Sequence, residues 1–90
     1  MREYIYKTFA DKIDLPVEAL TEGDPTLADL LQRSPKLNNS VDLMEAFART
    51  ANALKRDHGL RVRLPAFPLD TPCSRVFDAF MAEIAAAGAR

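Results

Sequence analysis

Proline decides where this chain can be helical. Its six prolines stand at positions 16, 25, 35, 65, 68 and 72. Each lacks a backbone donor and turns the preceding residue away from the α conformation. The long stretches left between them carry apolar residues at spacings of three and four. Ile5, Phe9 and Ile13 predict a helix over residues 2–13 that ends near Asp14, ahead of Pro16. Val41, Met44, Phe47, Ala48, Ala51 and Leu54 predict a second, long helix over residues 40–58. Lys55, Arg56 and His58 suit the negative end of its dipole, and Gly59 suits its C-cap. Val76, Phe77, Phe80, Met81 and Ile84 mark a closing helix, with Asp70 or Thr71 as its cap and Pro72 at its first position. The tail Ala85-Ala86-Ala87-Gly88 is expected to fray.

The segments between these helices read as follows. Leu15, Val17 and Leu20 pin an irregular stretch to the core, and Gly23-Asp24-Pro25 forms a turn. Leu27, Leu30 and Leu31 allow a short turn of helix at most. Ser34-Pro35 and Asn38-Asn39 bracket a loop. Leu60-Arg61-Val62-Arg63-Leu64 alternates strictly, so it is extended with its apolar residues facing in. No second alternating segment exists to pair with it. The sequence thus predicts one all-α domain over residues 1–90, a small three- to four-helix bundle with an extended connector after the second long helix.

Charge is unevenly placed. The whole chain has 12 basic and 13 acidic residues. Residues 1–30 hold three basic against seven acidic residues, and residues 31–63 reverse that to seven against three. The middle of the chain is therefore a candidate surface for an acidic partner or an anionic group. Nucleic acid is a poor fit as that partner, because the chain carries no net basic charge and its cations cluster toward a helix C-terminus. A single cysteine, Cys73, excludes an internal disulfide and a thiolate metal cluster. Catalysis by Ser–His or Cys–His chemistry would need His58, the only histidine, and a helix end among basic residues suits a surface role better. The isolated glycines 23, 59 and 88 form no phosphate loop. No signal peptide is visible, and no stretch reaches the roughly 20 apolar residues that span a bilayer. A cytoplasmic, monomeric protein is expected, neither an enzyme nor a metal protein.

The chemistry-bearing feature is Asn39-Ser40-Val41-Asp42, at the mouth of the long helix. A hydroxyl there lies beside backbone amides without helical partners, at the positive end of the dipole. That place suits a serine carrying a phosphate. For a serine before a helix taken alone, the commoner role is nothing more than an N-cap.

The order of pieces resembles the acyl carrier protein family. Leu15-Pro16-Val17-Glu18-Ala19-Leu20-Thr21 is similar to that family's segment after its first helix, and Leu27-Ala28-Asp29-Leu30 to its turn before the modified serine. Asn39-Ser40-Val41-Asp42 falls on the attachment motif. Gly59-Leu60-Arg61-Val62-Arg63-Leu64-Pro65 resembles its extended connector. The resemblance covers nearly the whole chain, with Asn39 where the family has Asp and about six added residues at 33–38. It implies an acyl-carrier-type bundle with 4'-phosphopantetheine attached covalently to Ser40, flanked by Asn39, Val41 and Asp42. It also implies partner contacts through Leu37, Val41, Met44 and Glu45. The implied partners are a phosphopantetheinyl transferase and enzymes that load and transfer acyl or aminoacyl groups as thioesters. The implied core, including Ile5, Phe9, Met44, Phe47, Phe77 and Phe80, would shelter an acyl chain. The cations after Glu45 imply dedicated partners rather than the family's usual basic ones. The alternatives are an unmodified helical adaptor of the same fold and, behind it, a small nucleic-acid-binding domain.

Overall fold

The computed structural model describes residues 1–88. Five helices follow in order: α1 (Arg2–Ile13), α2 (Glu18–Thr21), α3 (Leu27–Arg33), α4 (Ser40–His58) and α5 (Cys73–Gly88). There is no strand among the described residues, only an isolated bridge between Thr26 and Pro72. α1 ends where Pro16 predicts, with Asp14 left-handed at φ 55° and its amide on the carbonyls of Ala10 and Asp11. Gly59 closes α4 at φ 68°, a conformation that costs glycine nothing.

Two expectations are corrected between the long helices. The segment after Pro16 is not wholly irregular, since Glu18–Thr21 makes one turn of helix that buries Leu20. Residues 27–33 form a full helix rather than a single turn, because Thr26 and Asp29 exchange hydrogen bonds as a capping box. At the far end, α5 runs on through Gly88, where fraying was expected.

α1, α4 and α5 enclose the core. Phe9, fully buried, stacks on Phe47 at 4.8 Å and meets Phe77 edge-on at 5.7 Å. Ile5 and Ile13 on α1, Leu43 and Leu54 on α4, and Val76 and Phe80 on α5 complete it. Aromatic pairs in such arrangements add to the burial of their area. Leu15, Val62, Leu64 and Ile84 pack half-buried against this cluster.

The start of α5 is capped from across the fold. Neither Asp70 nor Thr71 supplies the expected cap. Instead Asp24, left-handed at φ 44°, accepts the Ser74 amide at 2.9 Å and the Ser74 hydroxyl at 2.7 Å. The Cys73 amide donates to the Pro25 carbonyl at 2.8 Å. In return, the first amides of α3 donate to the other side. Leu27 N–H reaches the Thr71 carbonyl at 3.0 Å and Ala28 N–H the Leu69 carbonyl at 2.9 Å. Residues 24–28 and 69–74 thus satisfy one another's helix ends.

These contacts set two expectations. The Ser74 amide and hydroxyl hold the Asp24 carboxyl below the usual carboxylate range. A depressed folded value means its stabilising contribution is complete above the ordinary 3.8 and is lost as pH falls from there through the folded value. Asp24→Asn should therefore be less stable at neutral pH and should lack this portion of the acid loss, which denaturant titration against pH measures. Phe80→Ala should cost about 3–5 kcal/mol in the same assay at neutral pH.

Candidate functional site

Ser40 opens α4 without capping it. The cap is Asn39, extended at φ −157°, whose side-chain oxygen accepts the Asp42 amide at 3.0 Å. The Asp42 carboxylate in turn accepts the Asn38 amide at 2.9 Å. This exchange is a shifted capping box that leaves the Ser40 hydroxyl over. Ser40 is the first helical residue and is exposed, and no side-chain hydrogen bond engages it among the described residues. Its location next to the positive end of a 19-residue helix favours negative charge. The Asn39-x-x-Asp42 spacing carried this signal in the sequence.

The loop before Ser40 is anchored, not loose. The Ser34 hydroxyl is buried, donates to the Ile13 carbonyl at the end of α1, and accepts the Lys36 amide at 3.2 Å. That anchor draws Leu37 into the core at 5% exposure. Leu37 is therefore corrected from a contact residue to a packing residue. Val41 and Met44, by contrast, are 60% and 59% exposed. Met44 is thereby removed from the core stripe where periodicity had placed it. At about 100° per residue, Leu43 takes the inward position and Met44 swings to the flank. Leu43, Ala46, Phe47, Thr50, Ala53 and Leu54 form the buried face of α4. Thr50 satisfies its buried hydroxyl on the Ala46 carbonyl at 2.9 Å.

An open groove of about 580 Å³ begins at Ser40. Leu43, Met44, Phe47, Ala48 and Ala51 form its α4 wall, and Val62, Leu64, Phe67 and Leu69 form the wall supplied by the connector. Asn52 is the other polar side chain on the lining. The size falls within the ~300–1,000 Å³ typical of small-molecule sites. The groove lies on the flank of α4, with the core residues Leu27, Leu43 and Phe47 in its lining. On the opposite flank of α4, Lys12, Lys36, Asn38, Asp42, Glu45 and Arg49 line a smaller polar pocket of about 380 Å³. Glu45 is exposed there, 4.0 Å from Arg49.

The other reactive side chains are engaged elsewhere. Cys73 is buried, and that burial pushes its thiol up to about 12. His58 lies edge-on to Tyr4 at 4.6 Å. Asp57 accepts the Tyr4 hydroxyl at 2.8 Å and Arg56 Nε at 3.0 Å. Arg56 and Tyr4 hold the Asp57 carboxyl below its ordinary range, while partial burial and Asp57 push the Tyr4 phenol up. These contacts tie the start of α1 to the end of α4. Among the described residues no three His, Cys, Asp or Glu side chains converge on a metal position, and no helix is long and apolar enough to cross a membrane.

Compared with protein-family models, curated proteins and solved structures, the chain matches none.

The two faces of the site are separable by substitution. Leu37→Ala should destabilise the fold by about 2–5 kcal/mol, whereas Val41→Ala and Met44→Ala should stay within about 0.5 kcal/mol of the parent. Urea denaturation of the three variants checks this.

Proposed function

We propose that the protein is a carrier of the acyl-carrier type, which bears 4'-phosphopantetheine on Ser40 and presents acyl or aminoacyl groups to partner enzymes. The observation that carries this reading is an exposed serine hydroxyl, relieved of capping by Asn39, on the lip of an apolar groove. A serine kept only to start the helix would have its oxygen on an N2 or N3 amide. Here that role belongs to Asn39, so the position of Ser40 is free for another use.

The residues present fit the group. Ser40 Oγ supplies the oxygen on which a phosphate is carried, and the α4 N-terminus stabilises its charge. The arm, when bound, supplies a thiol that holds the cargo as a thioester. Met44, Phe47, Ala51, Val62 and Leu64 offer the cargo an apolar surface away from water. Val41, Met44 and Leu69 stand exposed around the serine, as contact with partner enzymes requires. The chain itself contributes attachment, orientation and shelter, and its partners perform the chemistry.

Those same exposed side chains support the second reading, an unmodified adaptor that binds through the Val41–Met44 face. Incubation with coenzyme A and a broad-specificity phosphopantetheinyl transferase, followed by intact-protein mass spectrometry, separates the two. The carrier reading expects the mass gain of one phosphopantetheine, and none in Ser40→Ala. An unmodified parent chain, or a modified Ser40→Ala, contradicts it.

A further inference from the structure

The connector carries an open backbone edge. Among the described residues, no backbone group in residues 60–67 takes part in a backbone–backbone hydrogen bond. Burial alternates along it: Leu60, Val62 and Leu64 are half-buried, and Arg61 and Arg63 are exposed. Such alternation is the pattern of extended chain, in which the N–H and C=O groups of successive residues point to opposite edges. The Arg63 amide donates to Glu83 Oε1 on α5 at 3.2 Å, so that edge faces α5. The other edge bears the donors and acceptors of Leu60, Val62 and Leu64, without partners among the described residues. Pro65, which has no N–H, ends the run of donors.

Such an edge is a template for strand pairing, and flanking charge decides what pairs with it. Arg61 and Arg63 make no ion pair among the described residues. A second copy of this chain would bring arginines against arginines, which disfavours self-pairing. An extended segment with carboxylates at alternate positions satisfies both requirements. Its backbone exchanges hydrogen bonds with Leu60, Val62 and Leu64, and its acids lie across from Arg61 and Arg63.

We infer that residues 60–64 are a docking edge for an extended acidic segment of a partner protein, bound by strand addition. The inference is independent of Ser40 modification. Val62 and Leu64 also line the groove, so the docked segment would run along its connector side. An anionic polymer such as nucleic acid would engage the arginines alone and leave the backbone edge open.

The test uses the full chain, labelled with ¹⁵N, and a short peptide alternating Glu with Val. Controls are the same peptide with Lys for Glu, its backbone N-methylated form, and a single-stranded DNA oligonucleotide. The Glu peptide should slow hydrogen exchange at the Leu60, Val62 and Leu64 amides, and the Lys and N-methylated peptides should not. Reversing charge in R61E/R63E, both exposed and therefore tolerated, should weaken the Glu peptide by about tenfold or more through two lost cross-strand pairs, and should admit the Lys peptide. Unchanged exchange at those three amides, equal binding of the N-methylated peptide, or preference for the oligonucleotide would overturn the inference.

Discussion

The fold depends on the exchange of helix ends between residues 24–28 and 69–74. α3 and α5 each begin with amides that lack partners within their own helix, and each finds them on the segment that precedes the other. Asp24 and the Pro25 carbonyl complete α5, while the Thr71 and Leu69 carbonyls complete α3. The exchange also fixes the far end of the connector. Its near end is fixed by Gly59 at the close of α4. Residues 60–67, which make no backbone–backbone hydrogen bond among the described residues, are therefore held at both ends, and they face α4 across the groove.

At the other end of the groove, three neighbouring residues divide the work of starting α4. Asn39 supplies the capping oxygen, Asp42 supplies the acidic charge and returns a bond to the Asn38 amide, and Ser40 keeps an unengaged hydroxyl. Asn accepts this bond as well as Asp does, so the absence of an acidic residue at position 39 does not weaken the helix start. The loop over residues 34–38 likewise holds the serine firmly in place. The Ser34 hydroxyl ties it to the last carbonyl of α1, and Leu37 ties it to the core.

Helix ends set by local chemistry were legible in the sequence. Pro16 and Gly59 stop α1 and α4 where they must, and the alternation of Leu60 to Leu64 reappears as alternating burial. The register of α4 was not, because Leu43 and Met44 both belong to acceptable three- and four-residue series. Only the packing of the whole core decides that Leu43 faces in. The cap of α5 was out of reach, since Asp24 and Ser74 are 50 positions apart. The burial of Leu37 depends on a contact over 21 positions, from Ser34 to Ile13. Of the candidate site, the place of Ser40 could be read, and so, in principle, could its release from capping through Asn39-x-x-Asp42. The groove could not, because no local pattern reports the distance between α4 and the connector.

Asn39 caps α4 and Ser40 does not, and the proposed attachment of a phosphate to Ser40 requires that division. Equilibrium denaturation of Asn39→Ala and Ser40→Ala tests it most directly. Asn39→Ala should lose about 1 kcal/mol, the usual cost of an N-cap. Ser40→Ala should be neutral or slightly more stable, since alanine is the better helix former by about half a kcal/mol. The reverse order, with Ser40→Ala destabilised and Asn39→Ala unaffected, would make Ser40 the cap and contradict the account.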